Sequence, residues 1–495
     1  MLSKTDNYIW RLITVFSLHL RYFFHLFSLI LSIVALSFLQ SHAQEIWSLE
    51  QCITYAKDNN IQLKQSELTA ELSKDSYTQS KLGLLPSLNS SVNYGYNYGK
   101  NIDPTTNLFV NQSIQSGNAS LSSNVTLFSG FSKLNEMRKA YFDYMSSRFS
   151  YAQYANDISL SVATAYLQVL FAKENYANAQ SQENLSKQQV TNTQHLVDAG
   201  ALAEGALLQI QSQEATDEFN TVSAKNQLTL AQLNLQQLLN LDHPFDIVVP
   251  DLKIPVDLAF ADITAESIYQ IALGNQPGIK SAEFRVLGAE KGLSAARGGF
   301  SPSLSLFGSL STQYSNAVKR VTGTTTYDTL LIGFDAVNLN PVYTLNPTFQ
   351  FENTPLGNQL KDNFGQGFGL SLNFPIFNGW ATHTNVSRSK INLLNEQLNL
   401  DLQKQQLKKN IETAYADAVA GKDKYSAALK AESSAEESFN YAKVKYDAGV
   451  LASIDYVTAQ NALSAAKSQT LQAKFDYIFK LKVLDYYQGK PLNLN

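Results

Sequence analysis

The chain has 495 residues, 44% of them hydrophobic, with a formal net charge of −4, one cysteine and six histidines. A mildly acidic balance offers no basic surface for nucleic acid, and the single cysteine, Cys52, allows no intramolecular disulfide. His195, His243 and His383 lie far apart in the sequence, so neither a metal site nor any other cofactor is expected.

The first 43 residues form a leader. Arg11 and Arg21 precede the apolar run Phe23–Leu39, and Ser41-His42-Ala43 puts small residues where a signal peptidase reads them, so cleavage is expected before Gln44. A retained N-terminal anchor is the alternative, although the run falls short of the roughly 20 residues a spanning helix needs. No later segment is apolar enough for a transmembrane helix, and Cys52 lacks the apolar box of a lipoprotein.

Residues 44–241 form a first repeat. Ser48 to Leu82 is expected to be one helix, with Ser48 as cap and Gln51 completing a capping box. Pro86 ends it and opens a pair of strands at 86–100 and 114–128 around a loop with Pro104. In the first strand Leu88, Val92, Tyr94, Tyr96 and Tyr98 alternate with Ser, Asn and Gly. In the second, Ala119, Leu121, Val125 and Leu127 are expected on the apolar side. From Gly130 to Gly200 there is neither proline nor internal glycine. Apolar residues from Leu134 to Val169 step by three and four, as in a coiled-coil seam. Such a helix would be roughly 100 Å long. A tight turn at Gly200 leads to a return helix from about Leu202 to Asn240, and residues 242–263, with three prolines, are the expected linker.

The pattern then recurs in residues 264–490. "NFPIFNGW" at Asn373 matches "NVTLFSGF" at Asn124, and "YDAGVLA" at Tyr446 matches the segment around Gly200, both 249 positions on. Pro302 matches Pro86 at an offset of 216. A second strand pair is expected at 302–315 and 363–377. In its first strand Leu304, Leu306, Leu310 and Tyr314 face away from Ser303, Ser305, Ser309, Ser311 and Gln313. The change of offset puts 33 extra residues between the strands, an aromatic-rich loop from Ser315 to Asn363 that is too long for a simple turn. A last helix, Ser453 to about Tyr487, precedes a tail at 491–495.

Strands of this length cross a bilayer when tilted, and their alternation is that of an outer-membrane barrel. A soluble sheet packed on the helices is the alternative, but the polar faces are Ser, Asn and Gly with few charges, which suits a water-filled lumen. Four strands cannot close a barrel, and open edges are not tolerated in lipid, so the strands must be shared between chains.

These residues resemble the TolC family of outer-membrane efflux proteins. The carriers are "LFSGF" and "IFNGW", Pro86 and Pro302, and the tips "DAGALAEGALLQIQ" and "YDAGVLASIDYVTAQ", in order and in duplicate over Glu45 to about Lys490. The resemblance implies an α+β membrane protein: a homotrimer whose twelve-stranded outer-membrane β-barrel, four strands per chain, continues into a long periplasmic α-helical barrel. It implies an exit duct working with a periplasmic adaptor protein and an inner-membrane transporter. Gly200, Ala201, Leu202, Gly449, Val450 and Leu451 would form the adaptor contact at the tips, and Asp455 and Tyr446 the pore constriction. Gly200 and Gly449 also suit a left-handed turn, Tyr446 suits packing, and Asp455 suits a solvated surface. The family's salt-bridge latch is missing, because Leu451 and Ala206 stand at its two positions, and Thr458 replaces a further pore acid. An outer-membrane component for type I protein secretion and a non-conducting coiled-coil envelope protein are the alternatives. No catalytic triad order or phosphate-binding loop stands out, so an enzyme is not expected.

Overall fold

A computed structural model of the chain describes residues 46–102, 107–250 and 264–493. The expected leader, Pro104 and the latter part of the expected linker lie outside them. Among the described residues no helix is long and apolar enough to cross a membrane.

The elements in chain order are β1 (Ile46–Trp47), α1 (Leu49–Asn59), α2 (Ile61–Leu82), β2 (Ser87–Asn97), β3 (Lys100–Ile102), β4 (Phe109–Asn111), β5 (Ile114–Ser129), α3 (Ser132–Asp198), α4 (Glu204–Leu239) and β6 (Asp246–Ile247). They continue with α5 (Ala265–Asn275), α6 (Pro277–Gly298), β7 (Ser303–Ser315), β8 (Lys319–Phe334), β9 (Pro341–Asn353), α7 (Leu356–Asp362), β10 (Gly365–Asn373), α8 (Ala381–Asp447) and α9 (Ser453–Tyr487). The long helices α3 and α8 each have 67 residues.

The chain divides into two units, one of residues 64–154 and 273–409, the other of the remainder. The first holds a four-stranded antiparallel sheet in the order β10-β7-β5-β2, so β10 and β2 are left as edges. The alternation expected of these strands is present, with one difference. The pairing of β5 with β7 shifts between Thr126 and Phe128, which leaves Leu127 as an unpaired bulge residue. Phe128, rather than Leu127, then sits opposite Leu304 on the apolar face. Beneath the sheet, helices α2, α3 and α6 contribute small and aromatic residues, with Tyr77 against Tyr141. Phe284 stacks on Phe142 and Phe149, and Ser281 hydrogen-bonds Ser146 and Ser150. Gly130 and Gly298 meet backbone to backbone, since a Cβ on Gly130 would lie 2.6 Å from the Gly298 carbonyl oxygen.

The expected loop between β7 and β10 is ordered. β8 and β9 pair as a hairpin, and α7 packs by the side chain of Gln359, which is 2% exposed. Its amide accepts from Ser315 N at 2.9 Å and donates to Ser315 O at 2.9 Å and Thr354 O at 2.8 Å, so it stands in for a strand at the end of β7.

The second unit has a core built on α3. Ile158, Val162, Ala165 and Val169 are buried as their spacing predicts, and so are Tyr166, Leu167 and Leu170 on neighbouring faces. The helix is therefore covered on more than one side here. Two expectations are corrected. The helix from Ser48 to Leu82 is two helices. Asn60 leaves helical geometry at ψ 124 and its side chain accepts from Leu63 N at 3.1 Å, capping α2 as α1 ends. The capping box of Ser48 and Gln51 is present. The start of the linker is also part of the fold: Asp246–Ile247 pairs in parallel with Ile46–Trp47, and Phe245 and Ile247 are buried. The Tyr166 hydroxyl donates to the carbonyls of Trp47 and Val248, tying both strands to α3, and Lys173 bonds Asp246 at 2.9 Å. Burial pushes the Tyr166 phenol well above its usual pKa.

Candidate functional site

Both long helices end in the same turn. Gly200 has φ 71 and Gly449 has φ 72. At the first tip Gly200 N donates to Val197 O and Ala201 N to Leu196 O; at the second, Gly449 N donates to Tyr446 O and Val450 N to Lys445 O. This pair of bonds is the Schellman motif, which satisfies the last helical carbonyls only when the residue at the bend takes the left-handed conformation. A side chain at either glycine would meet no neighbour, so only the backbone demands glycine. Ala203 and Ala452 open the return helices without side-chain caps.

The six residues assigned to the adaptor contact lie at these bends. Val450 is 75% exposed and Ala201 is exposed, while Leu202 is half-buried. Leu451 turns inward and packs against a cluster of Ile210, Phe439, Tyr446, Tyr456 and Leu463. Asp455 is exposed in the first turn of α9, where the positive end of the helix dipole favours an acid. Tyr446 is 7% exposed and stacks on Tyr456, which is the packing role set beside the gate role in its sequence reading.

Behind the tips lies a buried polar ladder that the sequence did not disclose. It joins the hairpin α3–α4 to the hairpin α8–α9. The Tyr446 hydroxyl bonds Thr193 at 3.2 Å, and the Gln189 amide donates to the Tyr456 hydroxyl at 2.9 Å. Gln460 donates to Ser186 at 3.3 Å, and Ser186 in turn donates to Asp217. Gln213 donates to Asp217 at 3.0 Å and exchanges amide bonds with Asn461. Asp217 is 4% exposed, a depth at which a carboxylate needs such donors. Burial raises the Tyr456 phenol to about 12, opposed in part by the Gln189 bond, so its hydroxyl stays protonated at any physiological pH. The available signal was the run of Ser, Thr and Gln at seam spacing in α3 after Ala179, where a packed seam would otherwise be apolar.

Among the described residues no group of His, Cys, Asp and Glu could hold a metal ion.

Comparison with known proteins fits this architecture. The model of the family described as outer membrane efflux protein matches residues 52–241 and 268–484. The outer membrane protein TolC of Escherichia coli K12 is 21% identical over 444 residues, covering 87% of this chain and 80% of that protein. A membrane protein from Pseudomonas aeruginosa has a similar structure, with a TM-score of 0.71 at 18% identity over 92% of this chain and 93% of the other. The open-state MtrE outer membrane channel of Neisseria gonorrhoeae gives 0.69 at 19% identity, with 90% of each chain covered. The fold is thus the α+β fold of these channels, with a four-stranded sheet and a long helical part in each chain. The chain belongs to the outer membrane efflux protein family, as an exit duct of the outer membrane with a periplasmic portion.

Proposed function

We propose that this duct receives its cargo from an inner-membrane transporter through a periplasmic adaptor protein that docks on the two hairpin tips. One observation carries the reading: two sequence-distant tips repeat the same Schellman turn while leaving apolar side chains in solvent. Val444 is 70% exposed and Val450 75%, beside Leu196 at 42%. Exposed apolar groups around a rigid turn suit a protein partner.

Gly200, Ala201, Leu202, Gly449 and Val450 lie at the docking surface, and Leu451 supports it from within. Asp455 lines the narrow end of the duct as one carboxylate per chain. Tyr446 acts there through the ladder, holding the two hairpins together. The hydrogen-bonded ladder, which holds no ion pair, takes the place of the missing salt-bridge latch, since Leu451 and Ala206 supply no charge. Transport involves no covalent step, in keeping with relatives that are channels.

A photo-crosslinking amino acid at Val450 in the intact cell tests the docking surface. It should capture one periplasmic protein, whereas the same probe at Val337, on the β8–β9 hairpin, should not. Capture of the same protein from both positions, or from neither, rejects the tips as the docking surface.

A further inference from the structure

The two faces of the four-stranded sheet differ sharply in chemistry. Leu88, Val92, Leu306, Leu310, Phe368 and Leu370 share one face through the pairing register, and that face belongs to lipid. The other face lines the lumen. Ile114 lies on it at the very end of β5 and is buried. Phe307 is the exception within the strands. Every other paired position on that face is Ser, Asn, Gly, Gln or Thr, and none carries a charge.

Phe307 breaks the series Ser303, Ser305, Ser309, Ser311, and Gly308 beside it breaks the apolar series on the opposite face. The large and small residues have exchanged sides at this one step. Phe307 sits between Asn124 on β5 and Gly369 on β10. Its ring lies over Gly369, where an added Cβ would come within 2.8 Å of Cζ. The ring is nonetheless 44% exposed. Glycine at 369 therefore gives the ring a seat against the wall.

Twelve strands about 4.8 Å apart, tilted by about 40°, enclose a wall roughly 24 Å across. Three phenyl rings on such a wall do not meet, so they form a band and not a plug. We propose that the three Phe307 side chains, each seated on Gly369, form an apolar contact band in an otherwise uncharged polar lumen, at which exported molecules with an aromatic or aliphatic face dwell as they pass. The proposal rests on the three-chain barrel and is independent of what docks at the tips. The physical basis is that an aromatic face loses water only where it meets another apolar surface.

The test uses the purified full-length trimer in planar bilayers, with tetraphenylphosphonium or tetraethylammonium added on the side of the barrel mouth. Tetraphenylphosphonium should produce timed current blockades in the wild type. Phe307→Ser, which restores the serine series, should shorten them about three- to tenfold, the range expected for losing one aromatic contact. Phe307→Tyr should retain them, and tetraethylammonium should not distinguish the variants. Gly369→Ala should push the ring off its seat and lower the conductance in potassium chloride, and adding Phe307→Ser should restore it. Blockades of equal length in wild type and Phe307→Ser overturn the proposal, whether or not Gly369→Ala assembles.

Discussion

Tyr446 and Tyr456 stack with ring centroids 4.7 Å apart, and each hydroxyl reaches across to α3, one to Thr193 and the other to Gln189. The pair therefore both fills the seam between the two hairpins and bonds them together. Tyr456→Phe should keep the packing and lose one hydrogen bond, leaving the Gln189 amide unsatisfied at a cost of about 1 kcal/mol. Tyr456→Ala should cost about 3–5 kcal/mol, as for other buried aromatic truncations. If the ladder holds the closed state, the open probability of the purified channel should rise in the order wild type, Phe variant, Ala variant. An unchanged open probability in both would remove the ladder from the gate.

Gly449→Val should lower efflux while trimer abundance stays constant. The substitution meets no neighbouring atom, but a left-handed backbone costs an L-residue about 1–2 kcal/mol and resists β-branched side chains most. Gly449→Asn should be milder, because asparagine tolerates that region. Drug susceptibility and native gels on the same cells check this; parallel loss of efflux and trimer would make the turn structural only.

Asp455→Asn should reduce cation preference, read as a shift of reversal potential across a salt gradient. Three carboxylates around one axis raise the local cation concentration, and Thr458 one turn further offers no second ring. The effect should be modest. An unmoved reversal potential would mean that Asp455 faces bulk solvent.

Removing residues 319–353, the β8–β9 hairpin, should leave trimers intact, since the hairpin pairs only with itself. Gln359→Ala should be the more damaging change, because three hydrogen bonds to backbone are lost around a buried side chain. Melting temperatures of the two variant trimers decide the order, and a hairpin deletion that melts lower than Gln359→Ala reverses it.

Cys52 should resist alkylation in the folded protein. Its side chain is buried, and burial raises the thiol to about 12, so the reactive thiolate is scarce at pH 8 and appears only as pH approaches that value. Rapid labelling by iodoacetamide at pH 8 without denaturant would contradict this.

The strands and long helices were legible in the sequence because their periods of two and three-to-four are set by burial of one face. What was hidden was whatever depends on a single residue's local choice. Asn60 breaks a helix that its neighbours favour, although Pro277, at the first position of α6 and one residue past the equivalent Gln276, was a usable sign. The bulge at Leu127 slips the register by one, which no alternation pattern predicts. Asp246 and Ile247 looked like linker because prolines flank them, yet β1 and the Tyr166 hydroxyl hold them. At the tips the glycines announced the turn, whereas nothing in the sequence marks Asp217, because its donors, Ser186 and Gln213, come from a different helix and from one turn away.

The two 67-residue helices end in identical turns, and that equality limits how the gene can change. Inserting one residue into α8 alone would advance its tip by about 1.5 Å and rotate it by roughly 100°. Tyr446 would leave Tyr456, and the bond to Thr193 would have no partner. Insertions and deletions are therefore viable only where both arms change together and by multiples of seven, which keeps the tips level and the seam on the same face. Point substitutions in these helices face no such restriction, so divergent members can lose most sequence identity and still keep the same arm length.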